Sequence, residues 1–224
     1  MQYLFVALAF VGMTALSFAD NPIDPANYRN RVKVACMGDS ITEGFRTSPG
    51  HDYPSQLQQL LGARWQVMNF GVPGRTMLKK GDAPYWAQPV FDASHGILPD
   101  VVIILLGAND TKPENWKYHD QFYADYKAFV DSFKNLPNKP RVFACLPCPG
   151  PGPGSTSINE ADIQLEIPLI TKVAADEKVD LIDMHTPLVG KNLQPDAIHP
   201  GDAGAALLAQ AAATALTGKP APAK

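Results

Sequence analysis

Cysteine is scarce in this 224-residue chain: Cys36, Cys145 and Cys148 are the only three, too few to staple a disulfide scaffold. Charge is also sparse. Charged residues make up 18% of the chain, 22 Asp+Glu outweigh 19 Lys+Arg, and no basic run occurs. A dominant basic surface is therefore excluded, and no nucleic-acid partner is expected. The histidines lack metal-ligand spacing, so His51, His95, His119 and His185 read as surface or loop residues and no metal is expected. Cys145-Leu146-Pro147-Cys148 has the C-x-x-C spacing of redox motifs and half zinc sites. It lacks a second pair, and a run of alternating Pro and Gly from Pro149 to Gly154 replaces the helix start that a redox motif needs. One buried strand thiol and one loop thiol is the reading, with a local Cys145–Cys148 bridge as the alternative in an oxidising compartment.

Beyond the N-terminus no stretch is long and apolar enough to cross a bilayer. Residues 4–18 are almost wholly apolar and lead into Ser17-Phe18-Ala19, with small residues at the two positions a signal peptidase reads. Residues 1–19 are thus expected to be a secretory signal peptide, although Met1-Gln2-Tyr3 carries no Lys or Arg. An uncleaved anchor would need about 20 apolar residues. Residues 20–224 are then expected to form one secreted or periplasmic domain without stable membrane association.

Proline and glycine are abundant, at 21 and 17 residues, and the 46% hydrophobic fraction excludes disorder. Much of the molecule must be ordered loop on a rigid scaffold, which is where chemistry concentrates. Short apolar segments at residues 31–37, 65–70, 100–106, 141–146 and 179–183 read as strands. Residues 53–61, 115–136, 159–176 and 202–216 read as helices. The third strand is apolar on both faces and belongs inside a parallel sheet. The alternation predicts an α/β fold, a three-layer α/β/α sandwich around a five-stranded parallel sheet. Ligands of such sheets sit beyond the carboxyl ends of the strands.

The residues at those ends are distinctive. Gly38-Asp39-Ser40 follows strand one, and a serine leaving a buried strand is presented with free backbone N–H groups behind it. Asn69-Phe70-Gly71-Val72-Pro73-Gly74-Arg75 follows strand two, with Gly71 where the backbone must turn sharply or approach a ligand. Gly107-Ala108-Asn109-Asp110 follows strand three and can aim an amide N–H at the space beside Ser40. Asp196-Ala197-Ile198-His199 precedes the last helix and lets one loop deliver a general base with its orienting carboxylate. Each segment alone is ordinary turn or cap chemistry. All four in this order at one sheet edge are not.

Together, Gly38-Asp39-Ser40, Gly71, Gly107-x-Asn109-Asp110 and Asp196-x-x-His199 resemble the four blocks of the SGNH (GDSL-type) hydrolase superfamily, over residues 32–216. The resemblance implies a flavodoxin-like sandwich and serine esterase chemistry with no cofactor. By position it makes Ser40 the nucleophile, His199 the base and Asp196 its orienting carboxylate, with Ser40, Gly71 and Asn109 forming the oxyanion hole. Ile41 stands where the family name places Leu. A narrower set of segments is similar to bacterial carbohydrate O-acetylesterases: Gly71 to Met77, Lys79 to Trp86, Asn109 to Trp116, and the turn from Cys145 to Pro149. That likeness implies a small-molecule or polysaccharide ester substrate. Tyr85, Trp86 and Trp116 would offer aromatic faces, and Asp39, Arg75 and Asp110 polar contacts. Lipase, lysophospholipase or thioesterase activity on longer acyl chains is the alternative on the same residues.

Overall fold

The computed structural model describes residues 21–152, 155, 157–191 and 196–220. The expected signal peptide lies outside them. The five strands are Val32–Gly38 (β1), Trp65–Gly71 (β2), Val101–Leu105 (β3), Arg141–Leu146 (β4) and Asp180–Asp183 (β5). They pair in the order β2-β1-β3-β4-β5, every pair parallel. Around them lie helices α1 (Ser40–Glu43), α2 (Tyr53–Leu61), α3 (Pro89–Gly96), α4 (Pro113–Trp116), α5 (Phe122–Lys134), α6 (Glu160–Glu177) and α7 (Asp202–Thr217).

The period-2 alternation of the strands divides the core in two. Val34, Cys36, Ile103, Phe143, Cys145 and Ile182 face one side, where Tyr53 and Leu57 of α2 and Leu208 and Ala212 of α7 cover them. Ala35, Met37, Val102, Ile104, Val142 and Ala144 face the other, against the Phe122, Tyr126, Phe129, Val130 and Phe133 stripe of α5 and Ile170 and Val173 of α6. The sandwich is therefore three-layered, and β3 is buried along its whole length. All three cysteines are buried free thiols.

Two elements differ from expectation. The helix foreseen over residues 115–136 is broken into α4, a 3-10 turn at His119–Gln121 and α5. The Asn115 side chain holds α4 to the end of β3, its Nδ2 donating to Asn109 O at 2.9 Å, while α5 must lie along the sheet. The chain reorients between them. α3 was not foreseen. It begins at Pro89, whose fixed φ suits a first helical turn.

The register brings the chemistry to one edge. Gly38 pairs with both Gly71 and Leu105, so the chain leaves β1, β2 and β3 side by side.

Candidate active site

Ser40 opens the short helix α1, which Asp39 caps: Asp39 Oδ1 accepts from Ile41 N at 2.9 Å. Ser40 N–H belongs to the first-turn donors that a helix cannot satisfy internally. From the far end of the chain, the loop before α7 brings His199 to it, with Ser40 Oγ 2.8 Å from His199 Nε2. His199 Nδ1 lies 2.8 Å from Asp196 Oδ2. Asp196 Oδ1 accepts from the backbone N–H groups of His199 (2.7 Å) and Ile198 (3.1 Å). Partial burial works against the Asp196 charge, but these donors and the imidazole outweigh it and hold the carboxyl down to about 2. An ionised Asp196 fixes the tautomer: Nδ1–H donates to it, and Nε2 is left with its lone pair toward Ser40. Ser40, Asp196 and His199, expected together from their positions, are brought together.

Asn109 sits on the turn after β3. Gly107, at φ 139°, lets the strand end there, a conformation that side chains rarely adopt. Asn109 is 4% exposed, and its Nδ2 donates to Asp39 Oδ2 at 3.0 Å. One amide hydrogen is thereby held, which orients the other. Asp39 was expected to touch substrate. It is instead 2% exposed with both oxygens occupied, and burial, against its donors, raises it to about 6. Its place is behind Asn109.

Gly71 needs a similar correction. Its N–H is taken up by Asn69 Oδ1 at 2.8 Å, and a Cβ there would collide with the backbone of Glu43. The glycine serves the close approach of β2 to α1. Gly74, three residues on, has φ 77° and open space where a Cβ would stand. No hydrogen bond to its N–H occurs among the described residues. Its loop joins the ends of β1 and β3, since Val72 N donates to Gly38 O and Met77 N to Asp110 Oδ2.

The aromatic and acidic residues expected at the substrate belong mostly to the scaffold. Tyr85 is fully buried and its hydroxyl donates to Phe70 O. Trp86 packs edge-on to Phe129, its indole N–H donates to Met77 O, and Lys79 Nζ lies 4.2 Å from its centroid. Trp116 rests between His119 and Phe122. Asp110 is fully buried, accepting from Met77 N (2.9 Å) and Leu78 N (2.6 Å) to close the loop after β2. Arg75 is half-buried, with its Nε lacking a partner among the described residues. Two histidines expected at the surface or in loops are placed otherwise: His185 is buried, its Nδ1 3.0 Å from Pro147 O, and His95 stacks on Phe133.

Two residues were missed. Phe45 is 46% exposed and meets the His199 ring edge-on at 4.8 Å between centroids. Glu166 lies fully buried on α6, on the same stripe as Ile163, Ile170 and Val173, and neither of its carboxyl oxygens has a hydrogen-bond partner among the described residues. A carboxylate at the i, i+3, i+4 spacing of an apolar stripe is the signal that would have found it. Among the described residues, no group of three or more His, Cys, Asp or Glu is arranged to hold a metal ion. No described helix is long and apolar enough to cross a membrane.

A three-layer sandwich with a serine, a histidine and an aspartate in hydrogen-bonded sequence at its strand ends defines a class of protein, and comparison with known proteins specifies it. Residues 36–207 match the model of the GDSL-like lipase/acylhydrolase family. The chain belongs to that family. It is 36% identical over 214 residues to an acetylxylan esterase of Xylanibacter ruminicola; the match covers 86% of this chain but 44% of that protein, so the chain spans less than half the relative's length. Among solved structures, a carbohydrate acetylesterase from Sinorhizobium meliloti superposes with a TM-score of 0.66 at 20% identity, over 80% of this chain and 95% of that one. An aryl esterase from M. smegmatis gives 0.62 at 23%, over 80% and 95%. At such identities these two likenesses speak for the fold alone.

Proposed function

We propose that the protein is an exported serine esterase that removes acetyl groups from carbohydrate. The observation that carries the reading is the continuous contact from Ser40 Oγ through His199 to Asp196, 2.8 Å at each step. His199 Nε2 takes the Ser40 proton as Oγ attacks the ester carbonyl, and Asp196 stabilises the imidazolium. The tetrahedral oxyanion is met by Ser40 N–H, by the free amide hydrogen of Asn109 and by Gly74 N–H in the place first given to Gly71. His199 then returns the proton to the departing alcohol. Water, activated by the same imidazole, attacks the acyl-enzyme and releases acetate.

Support for an acetyl substrate comes from the acetylxylan esterase likeness. Support for a sugar comes from Phe45, whose exposed ring beside the base offers an apolar face, and from the half-buried Arg75. Export rests on the apolar segment at residues 4–18, and N-terminal sequencing of secreted protein tests it by finding residue 20 first.

The central test measures hydrolysis of p-nitrophenyl acetate, butyrate and octanoate, with acetate release from acetylated xylan. Rates should fall with acyl length, and Ser40→Ala should lose about 10⁶-fold in kcat. Rates that rise with chain length would move the reading to a lipase or thioesterase.

A further inference from the structure

Glu166 is the one fully buried carboxyl for which no hydrogen bond to either oxygen occurs among the described residues. It projects from α6 to the turn that carries Asn109. A Cβ built on Gly107 would lie 2.6 Å from Glu166 Oε2 and 3.0 Å from Oε1, so the carboxyl fills the space that a side chain at 107 would take. Gly107 in turn anchors the turn, its carbonyl accepting from Asp110 N at 2.7 Å. The acidic neighbours that bear on Glu166 are Asp110 on that turn, Asp39 before α1 and Asp162 on α6 itself. Lys112 is a cation that bears on Asp39.

Three buried carboxyls in mutual range cannot all ionise in a low dielectric. Donors decide which of them holds the proton. Asp39 receives Ile41 N–H and the Asn109 amide, and Asp110 receives two backbone N–H groups, although burial still raises it to about 8. Glu166, with none, is the group for which ionisation has least compensation. Burial first, then the charges of Asp110 and Asp39, push it well above the usual carboxylate range.

We propose that Glu166 is a positioning residue: as a neutral acid packed on Gly107, it supports the turn that aims Asn109 without setting a negative charge behind the oxyanion. The proposal rests on the esterase reading above. A fixed anion behind that turn would oppose the negative charge that develops on the substrate oxygen, whereas a neutral carboxyl or amide of the same shape would not.

The test compares wild type with Glu166→Gln and Glu166→Leu as folded full-length proteins. In the infrared spectrum at neutral pH, the difference between wild type and Glu166→Gln should contain the carbonyl stretch of a protonated buried carboxyl, separate from any band that Asp110, raised to about 8, contributes to both. On p-nitrophenyl acetate, Glu166→Gln should keep kcat within about threefold and hold it further into the alkaline range than wild type, because no ionisation remains at 166. Glu166→Leu, which fills the space with a different shape, should lose about tenfold to a hundredfold in kcat with KM little changed. The proposal is overturned by absence of the band. It is also overturned if Glu166→Gln falls as far as Glu166→Leu, or if its alkaline limb coincides with that of wild type. A wild type that turns over no ester would sink the esterase reading and this proposal together; a working wild type with a failed Glu166→Gln sinks this proposal alone.

Discussion

Asp196, in the loop before α7, and Glu166, on α6, are carboxyl groups whose surroundings drive them in opposite directions. Asp196 is 29% exposed at its side chain and accepts two backbone N–H groups and an imidazole N–H. Glu166 is sealed on an otherwise apolar stripe with no hydrogen-bond donor to it among the described residues. The first is held ionised and the second neutral. Proximity to the nucleophile does not set the charge state of an acid here; the number of donors and access to water do.

The comparison makes its largest demand on the isosteric amides. Asp196→Asn keeps the shape but offers the imidazole a neutral partner and permits the wrong tautomer, so kcat should fall about 10⁴-fold. Circular dichroism and melting should stay near wild type. The same change of carboxylate to amide at Glu166 should leave most activity. If the two amides cost similar amounts, the contrast between the carboxyls is broken.

A smaller effect is expected at Asn109. Asn109→Ala removes one oxyanion donor and leaves Asp39 Oδ2 without its partner. It should lower kcat about 10²–10³-fold with little change in KM. A loss confined to KM would mean that Asn109 binds the ground state only.

Stability should separate the carboxyls by pH. Asp39, Asp110 and Glu166 have raised values in the folded protein. Their neutral forms contribute fully below an unfolded value of about 4, and that stability is lost as pH rises through about 6 and beyond. Asp196 behaves oppositely: its contribution is present above about 4 and is lost as pH falls through about 2. The melting temperature should therefore decline from pH 5 to pH 9, and Glu166→Gln should flatten that decline. An equal slope in the variant would show that Glu166 ionises without cost.

Much of this arrangement was legible in the sequence. The apolar segments located the five strands, and the residues just past them included Ser40 and Asn109, with Asp196 and His199 in the loop before the last helix, because strand ends of a parallel sheet converge in space. What was not legible depends on which partner wins a local competition. Gly71 and Gly74 look alike as letters; the Asn69 side chain, folding back on the Gly71 N–H, and the close approach of Gly71 to the Glu43 backbone distinguish them. Tyr85 and Trp86 sit in a loop segment without periodicity, so sequence could not say that they turn inward to Phe91 and Phe129. The 115–136 helix failed for a related reason: its apolar spacing is continuous, but Asn115 is drawn sideways to Asn109 and Asp82. Glu166 was readable in principle, from its place between Ile163 and Ile170.

The smallest predicted effect bears on how Asp196 keeps its charge. Arg46 Nε lies 3.4 Å from Asp196 Oδ2, and a cation beside the carboxylate invites the view that it sets the ionisation. Its side chain is 56% exposed, however, and its guanidinium also lies 5.0 Å from the centroid of the Phe45 ring. Exposed pairs of this kind contribute about 0.2–1 kcal/mol and are screened by salt. The backbone donors from Ile198 and His199 are shorter and stay in place when Arg46 is removed. Arg46→Ala should therefore reduce kcat/KM no more than about fivefold, and the gap from wild type should close as salt is added. A loss approaching that of Asp196→Asn, insensitive to salt, would transfer control of the Asp196 charge from the backbone to the guanidinium and remove the basis for contrasting it with Glu166.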